Sequence, residues 1–95
     1  MTFMDNIHTL RQKISTIDKK IVTLIAKRQS YTPAIGAYKK KHNLPINQPE
    51  REREIIAALG VLAKKNNIHP ELLKKVFSLL FKDSKRIQKG ISRQN

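Results

Sequence analysis

The chain has 95 residues, with 20 Lys and Arg against 7 Asp and Glu, so 20 − 7 gives a formal charge of +13; 39% of it is apolar and it has no Cys. That length allows one domain over residues 1–95, and the lack of Cys excludes disulfides and thiolate metal sites as supplements to a thin core. No apolar run approaches the roughly 18 residues of a membrane span, and Met1 to Lys13 lacks the apolar stretch of a signal peptide, so a cytoplasmic protein with no membrane partner is expected.

In chain order, apolar residues first fall at Ile7, Leu10, Ile14, Ile17, Ile21 and Leu24, then at Tyr31, Ile35 and Tyr38. Steps of three and four of this kind make a helical seam with heptad spacing. The spacing predicts one long helix from about Asp5 to about Lys41, roughly 50 Å at about 1.5 Å per residue. A globule of this length has a radius of gyration near 12 Å. One chain is too small to cover such a stripe, so a homodimer is expected. Pro33 lacks an N–H and predicts a kink between Gln29 and Pro33.

Asn43, Pro45 and Asn47 mark a loop. Pro49, with Glu50 and Glu52 behind it, opens a second helix that runs to about Lys65 on an apolar face of Ile55, Ile56, Leu59, Leu62 and Ala63. Asn66-Asn67-Ile68-His69 reads as a turn. Pro70 then opens a third helix whose stripe is Leu73, Phe77, Leu80, Ser84, Ile87, Gln88 and Ile91. No segment alternates with period two. The fold class is all-α: one long N-terminal helix plus two shorter ones, intertwined as a homodimer.

The informative residues are the polar ones on these apolar faces. Arg28 takes the seam position between Leu24 and Tyr31, and Lys39, eleven residues later, returns to within roughly 20° of the same face. Ser84 and Gln88 take core positions on the third helix, and Glu52 extends the Ile56, Leu59, Ala63 face. They could pair internally, Arg28 with Glu52 and Ser84 with the Leu80 carbonyl, with Gln88 fixing helix register. Even so, two inward cations leave one without an acid, which implies an anionic ligand inside the bundle. Arg11 lies seventeen residues from Arg28, about 25 Å along a helix. In an antiparallel dimer, Arg11 of one chain would meet Arg28 of the other at two equivalent shared sites.

Leu10-Arg11-Gln12-Lys13-Ile14-Ser15-Thr16-Ile17-Asp18, Ala26-Lys27-Arg28, Ile35-Gly36-Ala37-Tyr38-Lys39, Pro49-Glu50-Arg51-Glu52-Arg53, and Asp83-Ser84 with Gln88 together resemble the all-helical, type II chorismate mutases. The resemblance runs from about Ile7 to Gln88. It implies an isomerase of aromatic amino acid biosynthesis, a homodimer that converts chorismate to prephenate by a concerted rearrangement with no cofactor, no metal and no covalent intermediate. It further implies that Arg28 and the other subunit's Arg11 clamp the carboxylates of the dianion, with Ser84 beside the ring carboxylate. Lys39 and Gln88 would donate to the ether oxygen, Glu52 would accept from the ring hydroxyl, and Arg51 would order that end. Gln48 stands where the family commonly has an acid, with a backbone contact to the hydroxyl still open to it. No general base is needed, so His8, His42 and His69 are expected at the surface or in helix caps.

Two other functions fit parts of the sequence. An isochorismate-pyruvate lyase of the same fold would share the helices and arginines but lack the acid at Glu52. A nucleic-acid-binding module would use the charge, which is spread evenly: +6 over residues 1–50 and +7 over residues 51–95. Its aromatics, Phe3, Tyr31, Tyr38, Phe77 and Phe81, fall mostly on apolar stripes rather than on base-stacking platforms, and the expectation is no nucleic-acid partner.

Overall fold

A computed structural model describes residues 6–93. Its elements are α1 (Ile7–Ser30), α2 (Thr32–Lys41), α3 (Pro49–Lys65) and α4 (Pro70–Ser92), with no strand among the described residues. The all-α class therefore holds. The expected helix start at Asp5, like Phe3, lies outside the described residues; α1 is capped by Asn6, whose Oδ1 accepts the Thr9 N–H at 2.9 Å. Where one long helix to Lys41 was expected, the hydrogen-bonded ladder is interrupted at Tyr31. Pro33 explains the position, because it has no N–H to offer the Gln29 carbonyl. Tyr31 keeps a helical backbone, with φ −82° and ψ −15°.

The chain divides into two compact units, the first ending at Ser30 and the second beginning at Tyr31. The first is α1. It buries no residue, and its seam of Ile7, Leu10, Ile14, Ile17, Ile21 and Leu24 is exposed.

In the second unit α2 and α3 both pack on α4. Pro49 and Pro70 sit at the starts of α3 and α4 as expected, and the side chain of His69 caps α4 by accepting the Glu71 N–H at 3.3 Å. Two C-terminal caps stop α2 and α3. In α2, the Leu44 N–H reaches back to the Lys39 carbonyl (2.8 Å) and the Asn43 N–H to that of Lys40 (3.4 Å). In α3, Ile68 reaches Ala63 (2.9 Å) and Asn67 reaches Lys64 (3.4 Å). Both are Schellman motifs, which need a left-handed residue just past the helix. Asn43 (φ 54°) and Asn67 (φ 55°) supply it, a conformation asparagine tolerates better than other side chains.

The face of α2 that packs on α4 corrects the sequence pattern. Tyr31, Ile35 and Tyr38, expected to continue the seam inward, are exposed, and the buried stripe is Thr32, Gly36 and Lys39, one position further on. Gly36 is the reason. A Cβ there would stand 3.2 Å from the Gln88 Cα, so only glycine lets the two backbones approach this closely. The apolar core is small: among the described residues only Ala63 and Phe81 are buried hydrophobics, and the Phe81 ring meets the edge of Phe77 at 6.3 Å. Among the described residues many large apolar side chains are exposed.

Candidate active site

Close approach at Gly36 brings Lys39 of α2 against Gln88 of α4. Lys39 is buried, with 9% of its surface exposed. Its Nζ donates to Gln88 Oε1 at 2.7 Å and to the Ile46 carbonyl at 2.9 Å. Both acceptors are uncharged, so the ammonium is solvated by dipoles rather than neutralised by an ion pair. Burial pulls its pKa below that of a free lysine; Glu52 opposes the shift and Lys85 adds to it.

An ammonium carries three donors and accepts nothing. Two are spent, and one is left. The same rule fixes the orientation of Gln88, also buried: its oxygen must face Lys39, which turns Nε2 and its two hydrogens away from the ammonium. No buried side-chain nitrogen or oxygen among the described residues lacks a partner. One charged and one neutral donor group are thus held next to each other by different helices, α2 and α4. Such a pair can stabilise negative charge that develops on an oxygen atom.

Glu52 and Ser84 flank this pair. Glu52, in the first turn of α3, is half-buried and its Oε2 pairs with Lys85 Nζ of α4 at 3.0 Å. The acid that the sequence offered to Arg28 is thus engaged by Lys85 of α4. Ser84 is half-buried one helical turn before Gln88, on the same face of α4. Gln48 holds the N-cap position of α3 without a side-chain cap, and its carbonyl accepts the Glu52 N–H at 3.2 Å. Arg51 is exposed and turns to Glu54 at 3.4 Å.

The structure therefore brings together Lys39, Gln88, Glu52 and Ser84 in the second unit, with Gln48 at its edge. The two remaining cations are on α1. Arg11 is exposed, and Arg28 is half-buried in the last turn, where its Nη1 donates to Gln29 Oε1 at 2.6 Å. Burial lowers the Arg28 pKa, yet a guanidinium stays charged at any physiological pH. Sequence reasoning missed Lys85, the partner of Glu52. Its spacing of three residues from Gln88 is the signal that could have found it.

The three histidines fall where expected: His8 is exposed, His42 closes α2 and His69 caps α4. Of the aromatics, Phe77 and Phe81 pack on each other, but Tyr31 and Tyr38 are exposed, and the Tyr38 ring lies 4.2 Å from that of His42. Among the described residues no group of His, Asp and Glu could hold a metal ion, and no helix is long and apolar enough to cross a membrane.

A family model described as chorismate mutase type II matches residues 10–89. A chorismate mutase of Methanocaldococcus jannaschii is 35% identical over 86 residues, covering 90% of this chain and 87% of that protein. A bifunctional chorismate mutase/prephenate dehydratase of Buchnera aphidicola is 36% identical over 91 residues, which is 96% of this chain but 24% of that protein. The T-protein of Haemophilus influenzae is 33% identical over 84 residues, or 88% of this chain and 22% of its own length. This chain therefore spans most of the Methanocaldococcus relative and about a quarter of the longer ones. It belongs to the type II chorismate mutase family.

Proposed function

We propose that this chain, acting as one domain over residues 1–95, is a chorismate mutase of aromatic amino acid biosynthesis that converts chorismate to prephenate. The observation that carries the reading is the Lys39–Gln88 pair. In the rearrangement the C–O bond to the ether oxygen breaks as a C–C bond forms, and negative charge grows on that oxygen. Donors already fixed there bind the transition state better than the ground state. Glu52 accepts from the ring hydroxyl, assisted by Gln48 and Arg51. Arg28, Arg11 of a second copy and Ser84 hold the two carboxylates. Clamping both ends also selects the compact conformer of a flexible substrate, in which the reacting carbons are close.

Purified protein is expected to consume chorismate and yield prephenate without added metal or cofactor. Arg28→Ala and Gln88→Ala should each lose most of the rate, and full activity in either would sink this site. Isochorismate incubated with the same preparation is expected to give no salicylate, because the lyase of this fold lacks the acid at Glu52.

The uncovered seam of α1 and the exposed Tyr31, Ile35 and Tyr38 support a homodimer with Arg11 donated across the interface. Mixing tests it. Arg11→Ala and Arg28→Ala chains, each inactive alone, should regain about a quarter of wild-type activity when unfolded and refolded together at equal amounts. Half of the dimers are then mixed, and one of the two sites in each mixed dimer is intact. A mixture that stays inactive would place both arginines of a site on one chain.

The depressed pKa of Lys39 predicts an alkaline limb. Rate should fall as pH rises through the folded-state pKa of Lys39, below the range of a free lysine, because the ammonium loses the proton it donates. Stability should move the other way: between the folded and unfolded pKa values the unfolded chain holds more protons, so unfolding free energy rises with pH. A dianion in the site favours the charged lysine, so the limb in kcat should lie at higher pH than the limb in kcat/KM. Coincident limbs at the free-lysine pKa would remove Lys39 from the chemistry.

A further inference from the structure

Lys85 connects three parts of the second unit. Its Nζ lies 3.0 Å from Glu52 Oε2 on α3 and 3.3 Å from Asn47 Oδ1 in the loop before α3, while its own backbone belongs to α4. Both side chains of the ion pair are about 30% exposed, so the pair is more shielded than Arg51–Glu54, Arg53–Glu50 and Arg86–Asp83, whose side chains are 42% exposed or more. Glu52 has one other carboxylate oxygen, Oε1, and it has no ion pair or hydrogen bond among the described residues. Two lysines, one on each neighbouring helix, thus compete for a single acid. Lys85 holds it, and Lys39 is left with neutral acceptors.

We infer that Lys85 is a positioning residue for the proposed reaction: by engaging Glu52 Oε2 and Asn47 it presents Glu52 Oε1 to the substrate's ring hydroxyl and keeps the carboxylate from pairing with Lys39. This rests on the mutase reading of the site. Without Lys85, the half-buried carboxylate can turn to the Lys39 ammonium, whose charge already interacts with it. That move would withdraw the acceptor from the hydroxyl and divert the donor from the ether oxygen. Position 85 therefore decides whether the acid at Glu52 serves the substrate or quenches the catalytic lysine. The charged groups facing Lys39 are Glu52 from α3 and Lys85 from α4; on its own helix Lys40 and Lys41 are exposed, and Arg51 is turned to Glu54.

The test compares Lys85→Met, Lys85→Arg, Glu52→Gln and the double variant Glu52→Gln/Lys85→Met. Lys85→Met should lower kcat/KM about tenfold and move its alkaline limb upward, since Lys39 loses a repelling cation and gains an acid. Lys85→Arg should keep the rate within about threefold and leave the limb in place. In the Glu52→Gln background the Lys85→Met change should cost less than about twofold, because the group it acts through is gone. A residue that only braces the fold would lower the melting temperature and leave the limb where it was. An unmoved limb, or losses that multiply in the double variant, would overturn the assignment. Titration of Lys39 by NMR in the ligand-free protein reads the same coupling without turnover. An upward shift there in Lys85→Met, with no chorismate conversion by wild type, would sink the mutase reading and leave the coupling standing; no shift would overturn the coupling itself.

Discussion

Lys39→Met should lower kcat for chorismate by about a thousandfold, with little change in the melting temperature. The rate estimate follows from the loss of one donor at a developing oxyanion, which removes about 3–4 kcal/mol of transition-state stabilisation, taken at its upper end because this donor is charged. The stability estimate comes from two opposed effects. Gln88 Oε1 and the Ile46 carbonyl lose their donor, at about 1–3 kcal/mol for a group left unsatisfied. Against this, the chain no longer buries a cation that pairs with no acid, a burial whose cost shows in the lowered pKa. A methionine of similar length fills the space under Gly36 and Gln88. The separation of rate from stability is the signature of a residue kept for chemistry at the expense of the fold. A variant with most of its activity would show that the ammonium makes no contact with the reacting oxygen.

Gln88→Glu is the second large effect, and its sign depends on pH. At neutral pH the new carboxylate would form an ion pair with Lys39 across the present 2.7 Å contact. It would remove the Nε2 donor and place a negative charge beside an oxygen that is itself becoming negative. A loss of about a hundredfold to a thousandfold is expected. A protonated carboxylic acid, however, still donates. Activity should therefore return as pH falls through the pKa of the introduced acid, which burial raises and Lys39 lowers from about 4.3. Wild type needs no such proton, because an amide donates at every pH, and its rate should stay flat between pH 5 and pH 8. Measured pH–rate profiles of the two proteins decide this. A variant as flat as wild type would mean that Gln88 braces Lys39 without touching the substrate.

Much of this arrangement is legible in the sequence because it rests on local rules. Pro49 and Pro70 mark helix starts wherever the rest of the chain goes, and heptad steps in residues 7–38 report a helix irrespective of what covers it. Lys39 and Gln88 stood out because a cation and an amide on apolar faces are costly. What the sequence hid depends on distances between elements. Gly36 gives no sign that Gln88 lies 3.2 Å from its absent Cβ, and so the apolar pattern of α2 lies one residue before its buried face. Lys85 looks like any other lysine in a chain of 20 Lys and Arg; only the approach of α3 to α4 makes it the partner of Glu52. Asn43 and Asn67 read as loop residues, and their left-handed backbones appear only once the caps are drawn.

The segment after α2 is gripped twice by one residue. Backbone and side chain of Lys39 both hold it, the carbonyl through the Leu44 N–H and the ammonium through the Ile46 carbonyl. Its length is therefore a working dimension, like the gap between two jaws of a caliper. One residue inserted between Asn43 and Ile46 would leave the chain able to close the cap or to meet the ammonium, but not both, so among active relatives this stretch should vary in composition and keep its number of residues.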